Sequence, residues 1–204
     1  MNPKDITRAS HSLSALLRHR ASAAGLAMDA AGWASVDDVL RVARLSRELL
    51  DVVVRENNKS RLELRDGRIR ACQGHSLAGM PVTLEALEAS WEEDLRASTI
   101  WHGTSFEAAE SIAREGLLPG ERTHVHLAEA TDSRVGKRAG VAVLLGVDPE
   151  ALRASGLRVY RSGNGVLLAR RVPAECITAV EVASERAKPG EAALRASFGL
   201  PGLT

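Results

Sequence analysis

The stretch Arg61-Leu62-Glu63-Leu64-Arg65-Asp66-Gly67-Arg68-Ile69-Arg70 decides how the first part of this chain is read. Charged and apolar residues alternate over 61–65 and again over 68–70, the period of a strand with one face inward. Between the runs stands Asp66-Gly67, a pair that tolerates the left-handed backbone of a two-residue hairpin turn. The prediction is a β-hairpin.

Upstream of Asn57-Asn58 the period lengthens. Ser46 is placed to cap a helix with Leu49, Leu50, Val53 and Val54 inward. Ser35 is placed to cap another, running to Arg44, with Val36, Val39 and Leu40 apolar. Farther back, Ile6, Leu13, Leu16 and Leu17 share one face of a helix over 5–20. Two short helices close together read as a helix-turn-helix pair. Helices followed by a hairpin make a winged helix, a common nucleic-acid-binding module.

Downstream, residues 76–98 form a bridge with Gly79, Pro81 and a short amphipathic helix around Leu84, Leu87, Trp91 and Leu95. From Thr99 helices and strands alternate: a strand into His102, a helix over 105–115 closed by Gly116, and a strand over 124–127. A helix near 132–138 and an apolar strand over 141–147 follow, then strands near 157–161, 166–169 and 177–182. The expected class is α+β, with one lobe over 1–80, a linker over 81–98 and a strand-rich lobe over 99–183. The segment 184–204, with Pro189, Gly190, Pro201 and Gly202, is expected to be loosely held.

The 204 residues suffice for one large domain or two small lobes, each with a core. Arg outnumbers Lys 23 to 4, so an Arg is not functional here merely for being an Arg. Residues 1–80 carry 13 basic against 9 acidic side chains, and residues 81–204 carry 14 against 17. A basic front half suits a polyanionic partner, although ordinary surface charge gives the same balance. Cys72 and Cys176 stand far apart and form neither a disulfide framework nor a zinc pattern. No run of about 18 apolar residues is present, and the opening Met-Asn-Pro-Lys-Asp-Ile has no apolar signal core. A cytoplasmic protein, monomeric and without membrane contact, is the expectation.

Five of the six histidines stand in polar clusters: Arg18-His19, Gln73-Gly74-His75-Ser76, His102-Gly103-Thr104 and His124-Val125-His126. No His-Glu-x-x-His or Cys-x-x-Cys pattern accompanies them, so no metal is expected. Arg18-His19 at the end of a helix either complements the helix dipole or clamps a phosphate, since Arg offers a bidentate fork and His a donor that titrates near neutrality. Lys59 and Arg61 at the hairpin entry read equally as solvated charge or as phosphate contacts. Gly103 lets a backbone approach a ligand closely, with His102 and Thr104 beside it. His124 and His126 share one strand face. Gly136-Lys137-Arg138 reads as a basic helix end or as a flexible Gly before two functional cations.

Taken together these segments resemble the RNA 2′-phosphotransferase family. The resemblance runs from about Ser12 to about Val182. It is carried by Ser12-x-x-Ala15-Leu16-Leu17-Arg18-His19, Gly25-Leu26-x-x-Asp29-x-x-Gly32-Trp33 and Asn58-Lys59-x-Arg61. It continues in Ile69-Arg70-Ala71-x-Gln73-Gly74-His75-Ser76, His102-Gly103-Thr104, His124-Val125-His126-Leu127, Val135-Gly136-x-Arg138 and Asn164-Gly165-Val166. The resemblance implies a winged-helix lobe for RNA and an ADP-ribosyltransferase-like lobe for NAD. It implies a catalytic quartet of Arg18, His19, Arg61 and Arg138. His102, Gly103 and Thr104, with Arg122, His126 and Asn164, would hold NAD, and Lys59, Gln73 and His75 would meet RNA phosphate. Leu62, Trp101 and Ala128 depart from the family's usual Phe, Tyr and Ser; the first two keep apolar bulk, and the last puts a hydroxyl contact in doubt but not the activity. The implied activity is NAD-dependent transfer of an internal RNA 2′-phosphate, with NAD consumed. Two alternatives stay open: ADP-ribosylation of terminal nucleic-acid phosphates, and a non-catalytic winged-helix regulator. Protein-modifying ADP-ribosyltransferases use a Glu where this chain reads Ser162-Gly163-Asn164-Gly165-Val166. A phosphate monoester is already an anion at neutral pH and needs no such base.

Overall fold

The alternating stretch is a hairpin in the computed structural model, which describes residues 2–56, 59–137 and 140–202. Strands β2 (Leu62–Arg65) and β3 (Arg68–Ala71), numbered with a short β1 (Ala34–Ser35), pair antiparallel with Arg65 opposite Arg68. Asp66 and Gly67 both take positive φ, 49° and 72°, as the two-residue turn requires. β1 adds to the other edge of β3, giving the order β1-β3-β2. Three helices precede the hairpin or flank β1: α1 (Pro3–Ala15), α2 (Val36–Ala43) and α3 (Arg47–Arg55). The caps are those the sequence offers. Ser35 Oγ accepts from the Asp38 N–H and Ser46 Oγ from the Leu49 N–H.

The first helix does not run evenly to Arg20. After Ala15 it widens into a π-helical turn, Leu16–Arg20, packed against β3. More residues per turn bring consecutive side chains closer in direction, and Leu16 and Leu17 are both buried.

The chain folds into two compact units. The first comprises residues 1–92 with two short segments from later in the chain, 121–123 and 162–164. The second comprises 93–120, 124–161 and 165–204. The boundary therefore falls about twelve residues beyond the one expected, because Leu87 of α4 (Leu84–Ala89) and Trp91 are buried, and the Trp91 indole donates to the Cys72 C=O at 3.0 Å. The core of the first unit is aliphatic: Leu13, Leu17, Val39, Leu50, Val53 and Ile69 are almost wholly buried.

The second unit is α+β as well, with antiparallel pairing in both of its sheets. Its strands are β4 (Glu92–Glu93, at the boundary), β5 (Ile100–Thr104), β6 (Val125–Leu127), β7 (Val143–Val147), β8 (Tyr160–Arg161), β9 (Leu167–Ala169) and β10 (Ile177–Val182). They form one sheet in the order β10-β7-β5 and another in the order β4-β8-β9-β6. β7 is buried along its whole length, which is why it reads as an unbroken apolar run rather than an alternation. Helices α5 (Phe106–Glu115) and α6 (Pro149–Ala154) are capped by Ser105 and Asp148.

Two expectations fail here. Among the described residues, 131–137 form turns and no helix. Gly136 has φ +80° and passes so close over the Leu127 carbonyl that a Cβ would collide with it, and such a backbone cannot continue a helix. The segment from 184 onward is not loose either. Helix α7 (Glu191–Ser197) packs on α5 and β10, and Leu194 belongs to the core with Ile100, Leu145 and Val180. Its Pro and Gly residues mark the turns around a packed helix, not an unstructured tail. Among the described residues no helix is long and apolar enough to cross a membrane.

Candidate functional site

Arg18 and His19 lie next to one another on the π-turn of the first unit, Arg18 half-buried and His19 exposed. What holds them is the strip that follows β3, Gln73-Gly74-His75-Ser76. Gln73 Oε1 accepts from Arg18 Nη2 at 2.9 Å. The Ser76 N–H donates to the Arg18 carbonyl at 3.0 Å, and Ser76 Oγ lies 2.6 Å from His19 Nδ1. Ser76 also forms an antiparallel bridge with Arg122. Ser76 thus touches both residues of the Arg-His pair and borders Arg122, a role the sequence reading missed. Its only signal was its place in the same four-residue motif as Gln73.

The same strip buries two residues that were expected to meet RNA phosphate, Gln73 and His75. His75 has no exposed surface; its ring fills the space over Gly32, whose added Cβ would lie 2.8 Å from Nε2. Gln73 is also buried and spends its carbonyl oxygen on Arg18. Gln73 thus supports the Arg18 guanidinium directly.

Arg122 and Asn164, expected with the NAD-holding residues, lie in the two segments that join the first unit. Arg122 is close enough to Arg18 and His19 for its charge to depress both. Asn164 Nδ2 donates to the Lys59 carbonyl at 2.9 Å, and its Oδ1 receives Gln73 Nε2 at 3.5 Å. No local pattern could reveal this, because 91 residues separate Gln73 from Asn164. Arg138 and Asn58 lie outside the described residues.

Positive charge dominates the electrostatics around Arg18. Burial, then the charges of Arg61 and Arg122, press the Arg18 guanidinium down to about 10, where it is still cationic at neutral pH. Its Nε is buried without a hydrogen-bond partner among the described residues. Arg61 enters β2 from Ser60, which has φ 44°, and its carbonyl accepts from the Cys72 N–H at 2.9 Å. Other arginines of this unit are neutralised: Arg68 pairs with Asp29, and Arg70 pairs with Glu63 at 2.8 Å while lying 4.5 Å from the Trp33 ring centre. Among the described residues no carboxylate forms an ion pair with Arg18 or Arg61. Arg18 and Arg61 thus keep a positive charge that an anionic group could meet.

His19 is lowered from its ordinary 6.5 by burial first, then by Arg18, Arg122 and Arg20, with Glu121 opposing. It is therefore neutral in the free protein at pH 7. Because the folded value is below the unfolded one, its contribution to stability is present above about pH 6.5 and is lost as pH falls through the folded value. We expect an NMR titration to place the His19 midpoint below 6.5, and Arg122→Ala to raise it by removing a nearby positive charge. A midpoint unmoved by Arg122→Ala would refute the electrostatic account.

In the second unit the expected ligand residues line β5. His102 Nδ1 donates to the His126 carbonyl at 3.0 Å, so the Nε2 of neutral His102 is a hydrogen-bond acceptor. Trp101 and Ala128 exchange backbone hydrogen bonds of 2.8 and 2.7 Å, tying β5 to the segment after β6. Gly103 must be small: a Cβ there would lie 3.0 and 3.1 Å from the Val141 methyls and 3.2 Å from Lys137 Cβ. Thr104 ends the strand, half-buried like His126, whereas His124 is buried. Among the described residues no group of three or more His, Cys, Asp or Glu is arranged to hold a metal ion.

Comparison with known proteins bears on most of the chain. A family described as "RNA 2′-phosphotransferase, Tpt1 / KptA family" matches residues 4–171. A protein of Pseudomonas fluorescens is 39% identical over 189 residues, covering 88% of this chain and 100% of its own length. One of Escherichia coli is 37% identical, covering 85% of this chain and 96% of its own. One of the archaeon Pyrobaculum aerophilum is 38% identical, covering 82% and 78%. All three carry the name "Probable RNA 2′-phosphotransferase".

Proposed function

The chain belongs to the RNA 2′-phosphotransferase family, and from that premise we propose that it transfers an internal RNA 2′-phosphate to NAD. The observation that carries the reading is the cluster of Arg18, His19 and Arg61, with Arg122 beside it and no carboxylate paired to Arg18 or Arg61 among the described residues. Such a cluster suits a dianionic phosphate monoester, for which guanidinium forks are the best-matched ligands.

On this reading the first unit, with helices followed by a hairpin, is a winged-helix lobe that takes the RNA. The second unit is an ADP-ribosyltransferase-like lobe that takes NAD. His102 supports it there, because a nitrogen acceptor with its tautomer fixed suits a ribose hydroxyl. Gly103 and Thr104 stand beside it, and Arg138 is a further candidate on the strength of the resemblance alone.

The reaction has two steps. A 2′-phosphate oxygen attacks C1″ of the nicotinamide ribose, and the C–N bond breaks to release nicotinamide. This step needs no base, since the nucleophile is already an anion. In the second step the ribose O2″ attacks phosphorus and the P–O2′ bond breaks. The proton lost from O2″ is balanced by the one that O2′ gains. The RNA leaves with a 2′-OH and the other product is ADP-ribose 1″,2″-cyclic phosphate. Fixed cations around the phosphoryl oxygens are the main aid such a transfer needs.

The test is direct. Incubation with a 2′-phosphorylated oligonucleotide should remove the phosphate only when NAD is supplied, and EDTA should not slow it. Dephosphorylation without NAD, or loss of activity on chelation, would count against the proposal.

A further inference from the structure

Arg18 is aimed by a chain of amides whose polarity can be read without ambiguity. A guanidinium only donates, so Gln73 must turn Oε1 toward Arg18 Nη2, at 2.9 Å. Its Nε2 then faces the other way, toward Asn164 Oδ1 at 3.5 Å. That oxygen also receives the Ser162 hydroxyl at 2.9 Å, and Ser162 is only 2% exposed. Asn164 Nδ2 is left to donate to the Lys59 carbonyl at 2.9 Å. The series ends on a backbone carbonyl, which cannot reorient as a side chain can. Flipping either amide would put oxygen against oxygen or nitrogen against nitrogen, so each fixes the next.

We propose that Asn164 is a positioning residue: through Gln73 it holds the Arg18 guanidinium in the orientation that meets a phosphate. Gln73 has three rotatable side-chain bonds, and a Gln held at one end only would leave Arg18 free to sample others. Asn is required at 164 because Asp would set a carboxylate oxygen against the Lys59 carbonyl. The inference rests on the reading that Arg18 binds the 2′-phosphate, and it removes Asn164 from the residues expected to touch NAD.

The experiment uses the full chain and two versions of one oligonucleotide, with and without an internal 2′-phosphate. Affinities are read by fluorescence anisotropy without NAD, and NAD affinity is read separately by calorimetry. Asn164→Ala should weaken the phosphorylated strand about tenfold, the equivalent of one charge-assisted hydrogen bond. The plain strand and NAD should bind as before. In an Arg18→Ala background Asn164→Ala should cause no further loss, since the group it positions is gone. Should Asn164→Ala not fold, the near-isosteric and uncharged Asn164→Leu carries the same comparison with the same expected loss. The proposal is overturned by a loss of NAD affinity in place of phosphate affinity, by an equal loss in the Arg18→Ala background, or by no loss at all. A wild-type chain with no preference for the phosphorylated strand would overturn the reading of Arg18 itself, a different and separately visible failure.

Discussion

Gln73→Glu should impair phosphate binding more than Gln73→Ala does, although it keeps the shape of the side chain. In the wild type a neutral oxygen accepts from Arg18 at 2.9 Å. A carboxylate there would supply the counter-charge that Arg18 lacks among the described residues. At that separation, with an effective dielectric of about 20, the attraction is on the order of 6 kcal/mol before desolvation is subtracted. A phosphate would then meet a neutralised pair and one additional negative charge. We expect affinity for a 2′-phosphorylated strand to fall about 100-fold in Gln73→Glu and about tenfold in Gln73→Ala. Stability should run the other way. Arg18 is already charged where it stands, so the carboxylate relieves its repulsion with Arg61 and Arg122. Gln73→Glu should therefore melt no lower than Gln73→Ala, even though its second oxygen faces Asn164 Oδ1. Anisotropy and thermal melting should give opposite orders. The same order in both would mean that Gln73 acts only as packing.

Local chemistry was what the sequence could reveal. The hairpin was readable because Asp66-Gly67 can adopt the turn and the flanking residues alternate. Ser35 and Ser46 were readable because a hydroxyl before an apolar period has few other uses. The π-turn under Arg18 and His19 was not readable, since one wide turn hardly alters the spacing of apolar residues. Gly136 misled in the opposite direction: Asp132 to Arg138 looks helical by composition, and only the Leu127 carbonyl packed against Gly136 shows that the backbone must turn. The C-terminal segment was misjudged because Pro189 and Gly190 were weighed and Leu194 was not.

The candidate site was legible as a list and not as an arrangement. Arg18, His19 and Arg61 could be singled out by residue type and by resemblance. That Gln73 and Ser76 act on the Arg-His pair, while His75 is packing, depends on burial and hydrogen-bond direction. Arg122 and Asn164 were read with the NAD-holding residues, and the structure groups both with the first unit. Segments 121–123 and 162–164 join the first unit through contacts that span scores of residues. Such contacts leave no periodic trace.

Arg61→Ala should separate the two chemical steps. In the first, the phosphate is the nucleophile and the demand is that it be held in line with the ribose carbon. Arg18 and His19, fixed on one turn by Gln73 and Ser76, are built for holding. In the second step phosphorus itself is attacked, charge moves over its oxygens, and O2′ departs. A cation that touches the phosphate matters most there. Arg61 is the candidate for that role. It enters the hairpin beside Lys59, near enough to Arg18 for its charge to be felt, and among the described residues it is in no ion pair. Removing one such donor typically slows a step by about 10²–10³. We expect Arg61→Ala to slow the second step by that amount and the first by about tenfold or less, so that an RNA-2′-phospho-ADP-ribose species builds up as a slower band on a denaturing gel. His19→Ala should instead leave the RNA largely unreacted, because positioning fails before nicotinamide departs. Unreacted RNA alone with Arg61→Ala under excess NAD, at every time point, would remove Arg61 from the second step, although it would leave the proposed reaction in place.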